Sequence, residues 1–255
     1  MVLQPSNKFN LYDFFSVLLP GSITLLMLIP FLPEEGLPDF LILLLILIIG
    51  GYTLGHVLHT VSIELIEYVG GTTHRDRFGT ELTGAGSLPE DVGVSFMLAC
   101  QRRFSLSRTE SPIHRPQNQI VEPRDCLEYY ELVRTYVDID GRGRSRTYQA
   151  LYAFSRSVLL GSLMAGSVYA VYIVLLVFDD SPNIAISLET VFWYTPYIQT
   201  VDISAPYLAI ILFGTGVLIG RVFLDTMRNY RDLFAAYMIS DYLMILEHNR
   251  EEISR

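Results

Sequence analysis

The sequence predicts an all-α integral membrane protein: a four-helix transmembrane bundle with a helical cytoplasmic module. Of its 255 residues, 51% are hydrophobic and only 18% are charged, and mean hydropathy is +0.35. Soluble domains of this size are less apolar and carry more charge. Four windows of about 20 residues are almost free of charge, which is the length that crosses a hydrocarbon core as a helix. Basic residues also crowd the segments on one side of these windows.

The four windows divide the chain into two hairpins, an insert and a tail. The predicted domains are a first hairpin at 1–66 with spans at about 14–32 and 40–59, an insert at 67–150, a second hairpin at 151–224 with spans at about 157–178 and 207–224, and a tail at 225–255. The first outer turn is short, which favours antiparallel packing of the first two spans.

The distribution of arginine predicts the orientation in the membrane. Of 18 basic residues 17 are arginine, and eleven of these lie between residues 67 and 152, while five lie at the end of the last window or beyond it, from Arg221 to Arg255. No basic residue lies in either predicted outer loop. Cytoplasmic loops of membrane proteins carry the excess of basic residues. Both termini, the insert and the tail are therefore expected in the cytoplasm, and the protein is expected in the inner membrane.

Charge balance in the insert restricts its partners. The insert has 11 arginines against 12 acidic residues, whereas a nucleic-acid surface needs a clustered positive excess. The predicted partners are therefore the lipid bilayer, further copies of the chain and a cytoplasmic protein or small ligand. Neither nucleic acid nor a cofactor is expected.

Two apolar stripes at helical spacing predict how the tail packs. One lies in the insert at Cys126, Tyr129, Tyr130, Val133 and Val137. The other lies on a helix expected to continue from the fourth span into the tail, at Phe223, Met227, Tyr230, Phe234 and Tyr237. Packing of the tail on the insert is favoured over a coiled coil between chains, because Asp241 and His248 fall on the same register and end the second stripe.

Glycines are spaced for close helix packing in the predicted spans. Gly51 with Gly55, and Gly216 with Gly220, form GxxxG pairs, and Gly161 belongs to a ridge of small residues in the third span. Such residues let helix backbones approach closely where lipid removes the hydrophobic drive. They indicate either packing within one bundle or the interface of an oligomer.

Three arginines precede the third span in a glycine-rich turn. Arg142, Arg144 and Arg146 lie close to the inner membrane surface in the predicted topology, where guanidinium groups meet anionic headgroups. Backbone amides of the turn could add to such a site. The alternative is that the arginines only retain the topology.

A polar stripe follows the second span at His56, His59 and Glu64. Two histidines and a carboxylate could bind a metal or act in catalysis at the inner face, but the HExxH pattern is absent. A hydrated helix end that pairs with the insert is the simpler interpretation, so no metal site and no catalytic residue are predicted. Cys100 and Cys126 lack metal-ligand spacing and are interpreted as small buried apolar residues.

These observations predict a non-enzymatic membrane sensor, effector or scaffold whose cytoplasmic helical module binds a partner or ligand. The spans lack the ionisable residues that coupled transporters use at depth. One alternative is a passive pore lined by Ser22, Thr24, Thr53 and Thr215, and another is a membrane enzyme that uses His56, His59 and Glu64.

Short motifs also carry a resemblance to a group of proteins. Tyr12-Asp-Phe-Phe-Ser16, Leu19-Pro-Gly21 and the segment from Gly51 to His59 occur in a hairpin, insert and hairpin layout. In these features the chain resembles small prokaryotic four-span membrane proteins of unknown function. The resemblance covers the four spans and implies an inner-membrane location without an activity.

Overall fold

The computed structural model describes residues 13–29, 40–70, 73–83, 85–104, 123–140, 143–178 and 205–254. All regular structure in these ranges is helical. A π-helical turn at Phe14–Leu18 leads into α1 (Leu19–Leu28), and the remaining helices are α2 (Phe40–Gly70), α3 (His74–Leu82), α4 (Glu90–Phe104), α5 (Pro123–Asp140), α6 (Ser145–Phe178) and α7 (Ala205–Ser254).

Three of these helices are long and apolar enough to cross a membrane. Their candidate spans are Phe40–Leu65, Ser145–Leu175 and Ala209–Arg250, which confirms the membrane character predicted from the sequence. The first predicted span, 14–32, differs: its described part is the apolar helix Phe14–Leu28, which is shorter than the roughly 20 residues that a crossing needs. Residues 30–32 lie outside the described ranges, so the crossing of the membrane by this first span stays a prediction.

The two longest helices are uninterrupted, as the sequence predicts for the helix that continues from the fourth span into the tail. Helix α6 begins at Ser145, directly after the glycine-rich turn, and continues for 34 residues into the third apolar window. Helix α7 has 50 residues and continues past the fourth window into the tail. Neither helix meets an internal proline after its first turn, and proline is the residue that most strongly breaks a helix.

The chain divides into two compact units. The first comprises Met1–Ile66 and Ala150–Met227, and the second comprises Glu67–Gln149 and Arg228–Arg255. Helices α2, α6 and α7 therefore each contribute residues to both units. We refer to the first as the apolar unit and to the second as the helical module.

Helix α6 supplies most of the core of the apolar unit. Half of its apolar stretch is buried, against 17% of the corresponding stretches of α2 and α7. Val158, Ala165 and Tyr169 of α6 are buried, whereas Leu45 of α2 and Leu218 of α7 are exposed. Exposed apolar faces on α2 and α7 are what a lipid-facing surface requires.

Aromatic side chains form the core of the helical module. Phe78 of α3 packs edge-on against Phe96 of α4 and Tyr130 of α5, and Phe96 in turn packs against Tyr242 of α7. Edge-to-face aromatic pairs of this kind add to the free energy of area burial. Outside this aromatic group, the salt bridge from Arg77 to Asp232 at 2.9 Å joins α3 to α7.

The predicted packing of the tail on the insert is confirmed within the module. Tyr129, Tyr130, Val133 and Val137 of α5 lie in the same buried cluster as Phe234 of α7. The stripe on α7 also has other partners: Tyr237 stacks on Tyr148 with ring centroids 4.7 Å apart, and Phe223 packs on Phe154 in the apolar unit.

Candidate functional site

The apolar unit contains a buried arginine. Arg156 of α6 is only 4% exposed, and its Nε donates a hydrogen bond to Ser62 Oγ of α2 at 3.0 Å. The guanidinium also lies over the ring of Tyr152, 5.3 Å from its centroid. A buried guanidinium needs such partners, because removing a charge from water without compensation costs several kcal/mol.

The hydrogen bonds continue from Arg156 to the predicted polar stripe. Ser62 Oγ donates to the main-chain oxygen of His59 at 2.9 Å, and the imidazole of His59 lies within electrostatic reach of Arg156 and Asp13. The structure separates this histidine from the rest of the stripe. His59 is partly buried, whereas His56 and Glu64 are exposed.

This separation bears on the metal and enzyme interpretations of the stripe. Within the described ranges, no three His, Cys, Asp or Glu side chains are grouped so that they could hold a metal ion. His56 packs edge-on against Tyr52 at 4.6 Å. His59 is thus the one residue of the three that the structure places beside Arg156.

Arg156 is a site residue that the sequence pattern does not predict. It directly precedes the predicted third span, 157–178, and follows the predicted insert, 67–150, so it belongs to neither. A signal was nevertheless present, because Arg156 is the only basic residue between Arg146 and Arg221. Its neighbours Ser155 and Ser157 are also buried, and a polar triplet in an otherwise apolar helix is the pattern that could have indicated it.

A buried carboxylate fixes the start of α6. The backbone N–H of Ser145 donates to Asp241 Oδ2 of α7 at 2.8 Å, and both residues are buried. A Cβ at Gly143 would overlap this carboxylate, so glycine is needed for the close approach. A negative group at a helix N-terminus accepts a hydrogen bond from a backbone N–H that has no partner within the helix, and it interacts favourably with the helix dipole.

This arrangement changes the prediction for the glycine-rich turn. The amide of Ser145 is occupied by Asp241, so it is not offered to an external anion. Arg144 and Arg146 are exposed, and their guanidinium groups are the part of the predicted site that a lipid or ligand anion can reach. Arg142 lies outside the described residues.

A second buried carboxylate holds the segment that leads into α4. Glu81 Oε2 accepts hydrogen bonds from the backbone N–H groups of Ser87, at 2.7 Å, and Leu88, at 3.1 Å. A Cβ at Gly86 would overlap this carboxyl group. Two helix starts in the module are thus fixed by acidic side chains from other helices, α3 and α7.

The predicted packing glycines contact other helices of the same chain. A Cβ at Gly55 would overlap the main-chain oxygen of Val17, and a Cβ at Gly51 would overlap Ser22. Gly161 is equally close to Thr24, whereas Gly216 and Gly220 are in ordinary van der Waals contact with residues of α6. The space beside each of these glycines is therefore occupied by residues of the same chain.

The hydroxyl groups proposed for a pore wall are satisfied by main-chain oxygens. Ser22 donates to Leu47 and Thr24 donates to Pro20, at 2.9 and 2.8 Å. Thr53 and Thr215 donate to carbonyl groups four residues earlier in their own helices, and both are exposed. Since Thr24 is buried in the core while the last two lie on the surface, the four do not line a common channel within one copy.

Cys100 has the buried position that the sequence predicted. The side chain lies in the module core, and burial raises the pKa of its thiol to about 12. The thiolate fraction at neutral pH is therefore smaller than for an exposed cysteine, as is typical of a buried structural cysteine.

The comparisons with known proteins found no match. No family model matches the chain, and neither does a curated protein or a solved structure. What the protein does must therefore be inferred from its own residues.

Proposed function

We propose that this protein is a four-span inner-membrane sensor, effector or scaffold without enzymatic activity. Its helical module binds a cytoplasmic protein or small ligand, and the helices shared with the apolar unit carry the state of the module into the membrane. The observation that carries the proposal is that α2, α6 and α7 each contribute residues to both units as single uninterrupted helices.

The orientation follows from the charges. Sixteen of the basic residues lie in the insert or from Arg221 onward, at the end of the last apolar window and beyond it, and this asymmetry supports cytoplasmic termini and a cytoplasmic module. The exposed guanidinium groups of Arg144 and Arg146 then meet anionic headgroups of the inner leaflet. Each basic residue near such a surface contributes about 1 kcal/mol.

Coupling depends on helices that cannot bend freely. A helix transmits a tilt or rotation along its length because each turn is hydrogen-bonded to the next. Asp241 also ties α7 to the first residue of α6 within the module. A ligand that changes the packing of α7 there would consequently act on α6 as well. Coupling requires that a change in the helical module changes the arrangement of the same helices in the apolar unit.

Disrupting the module is therefore expected to change distances within the apolar unit. Spin labels on cysteines introduced at the exposed positions Thr53 and Thr215, in a background with Cys100→Ala and Cys126→Ser, report the separation of α2 and α7 in lipid nanodiscs. Tyr242→Ala removes a side chain from the module core. We expect it to shift or broaden the distance distribution by several Å.

Met244→Ala is the matched control, because this side chain is on the same helix and is 72% exposed. It should leave the distribution unchanged. An unchanged distribution in Tyr242→Ala, with the module shown to be loosened by faster proteolysis, would contradict coupling and with it the proposed sensor role.

A further inference from the structure

Helix α4 carries a stripe of exposed residues among the described part of the module. Asp91 lies three and four residues before Val94 and Ser95, and Leu98 lies four and three residues after them and four before Arg102, so the five share one face of the helix. All five are exposed. Val94 and Leu98, at the middle of the stripe, are 55% and 42% exposed.

The helix dipole explains the charged residues at the ends of the stripe, but it does not explain the exposed aliphatic residues at its centre. Acidic residues in the first turn and basic residues in the last turn of α4 are favourable to the helix dipole. Arg102 and Arg103 are both exposed, but Arg103 lies over the ring of Tyr136, whereas Arg102 lies on the stripe. Two exposed aliphatic side chains between opposite charges have no such local reason, and an apolar centre with a charged rim is typical of interfaces.

The stripe is complementary to itself. When a second copy is rotated by a twofold axis that passes between Ser95 and Leu98, the two α4 helices run antiparallel. Asp91 of each copy then faces Arg102 of the other, and the aliphatic side chains meet at the centre. Because the charges lie symmetrically about this centre, both pairs form at once, as an interface between identical patches requires. We infer that α4 is the contact through which two copies of this chain associate.

The proposed contact buries a small area, so the association of the two copies is expected to be weak. A stable interface between soluble proteins buries about 1,200–2,000 Å², and five residues from each copy bury less. Association therefore depends on the high local concentration that confinement in one bilayer provides, and in this respect the inference rests on the proposed membrane location. The packing glycines are filled within one copy, so α4 also supplies a contact that those glycines do not.

Charge-reversal substitutions at the two ends of the stripe test the proposed contact. Arg102→Asp places four acidic groups at the interface, and Asp91→Arg places four basic groups there. Each variant alone is expected to associate roughly 10-fold or more weakly than the wild type, since two attractive pairs become repulsive. An equimolar mixture of the two restores both attractive pairs and should associate as the wild type does. Energy transfer between donor-tagged and acceptor-tagged copies in liposomes measures this association.

Glu90→Arg is the control, because it makes a similar charge change in the first turn, beside the stripe, and should leave association unchanged. A mixture that associates no better than either variant alone would overturn the inference and would mean that the stripe faces lipid or another protein. Absence of energy transfer in the wild type would overturn it as well. Neither result bears on the spin-label experiment, which measures distances within one copy.

Discussion

Replacing Gly55 by alanine is expected to disrupt the packing of the apolar unit. The added methyl group would overlap the main-chain oxygen of Val17, which is on the π-helical turn that packs against α2. Main chain cannot move aside as a flexible side chain can, so the two helices must separate. Overpacking of a core costs about 1–3 kcal/mol or more, and we expect at least about 3 kcal/mol here.

Gly166→Ala is the matched control for Gly55→Ala. Gly166 also lies in an apolar helix, but no atom of the described residues lies within 4 Å of its Cβ position. Alanine there should be neutral, or stabilising by up to about 1 kcal/mol, because it favours the helix. Thermal unfolding in mild detergent, followed by circular dichroism, compares the two. Equal melting temperatures of the two variants would show that α2 and the π-helical turn at Phe14–Leu18 are not in close contact.

Tyr242→Ala is expected to destabilise the helical module by about 3–5 kcal/mol, as removal of a buried aromatic side chain does. Tyr242 is fully buried, and its ring contacts those of Phe96, Phe104 and Tyr136. Its loss therefore removes contacts with α4 and α5 at the same time. The remaining side chains cannot fill a space of that size without moving these helices.

The thiol of Cys100 reports this change directly. Burial keeps the pKa of Cys100 near 12, so alkylation at neutral pH requires the module to open and the pKa to fall toward its usual value. Alkylation of Cys100, followed by mass spectrometry of its peptide, should become at least 100-fold faster in Tyr242→Ala, since about 1.4 kcal/mol corresponds to a factor of ten. In Met244→Ala the rate should equal that of the wild type. Equal rates in all three proteins would mean that Tyr242 does not hold the module closed.

Elements set by local patterns could be predicted from the sequence. The start of α6 at Ser145 follows a turn with two glycines, and α7 is long because no breaker interrupts it. The apolar spacing on α5 identified residues that are indeed buried against α7. In each case the decisive information lies within a few residues or repeats at the helical period.

Contacts between distant residues could not be predicted in this way. Asp241 was interpreted as an interruption of an apolar stripe, but its carboxylate holds the amide of Ser145, 96 positions earlier. No local pattern assigns Arg156 a role, because its hydrogen bond to Ser62 spans 94 positions. The glycine pairs indicated close approach but not the partner. No periodic signal marks a polar residue whose partner is supplied by tertiary packing.

Membrane orientation is the premise of the proposed function, and introduced cysteines test it directly. Cys100 is unsuitable because it is buried. We therefore choose Glu90→Cys, which is exposed in the module, and Ser181→Cys in the predicted second outer loop, both with Cys126→Ser. An impermeant maleimide applied to intact cells should label the cysteine at position 181 at once and the one at position 90 only after permeabilisation. Labelling of position 90 in intact cells, with position 181 protected, would contradict a cytoplasmic module.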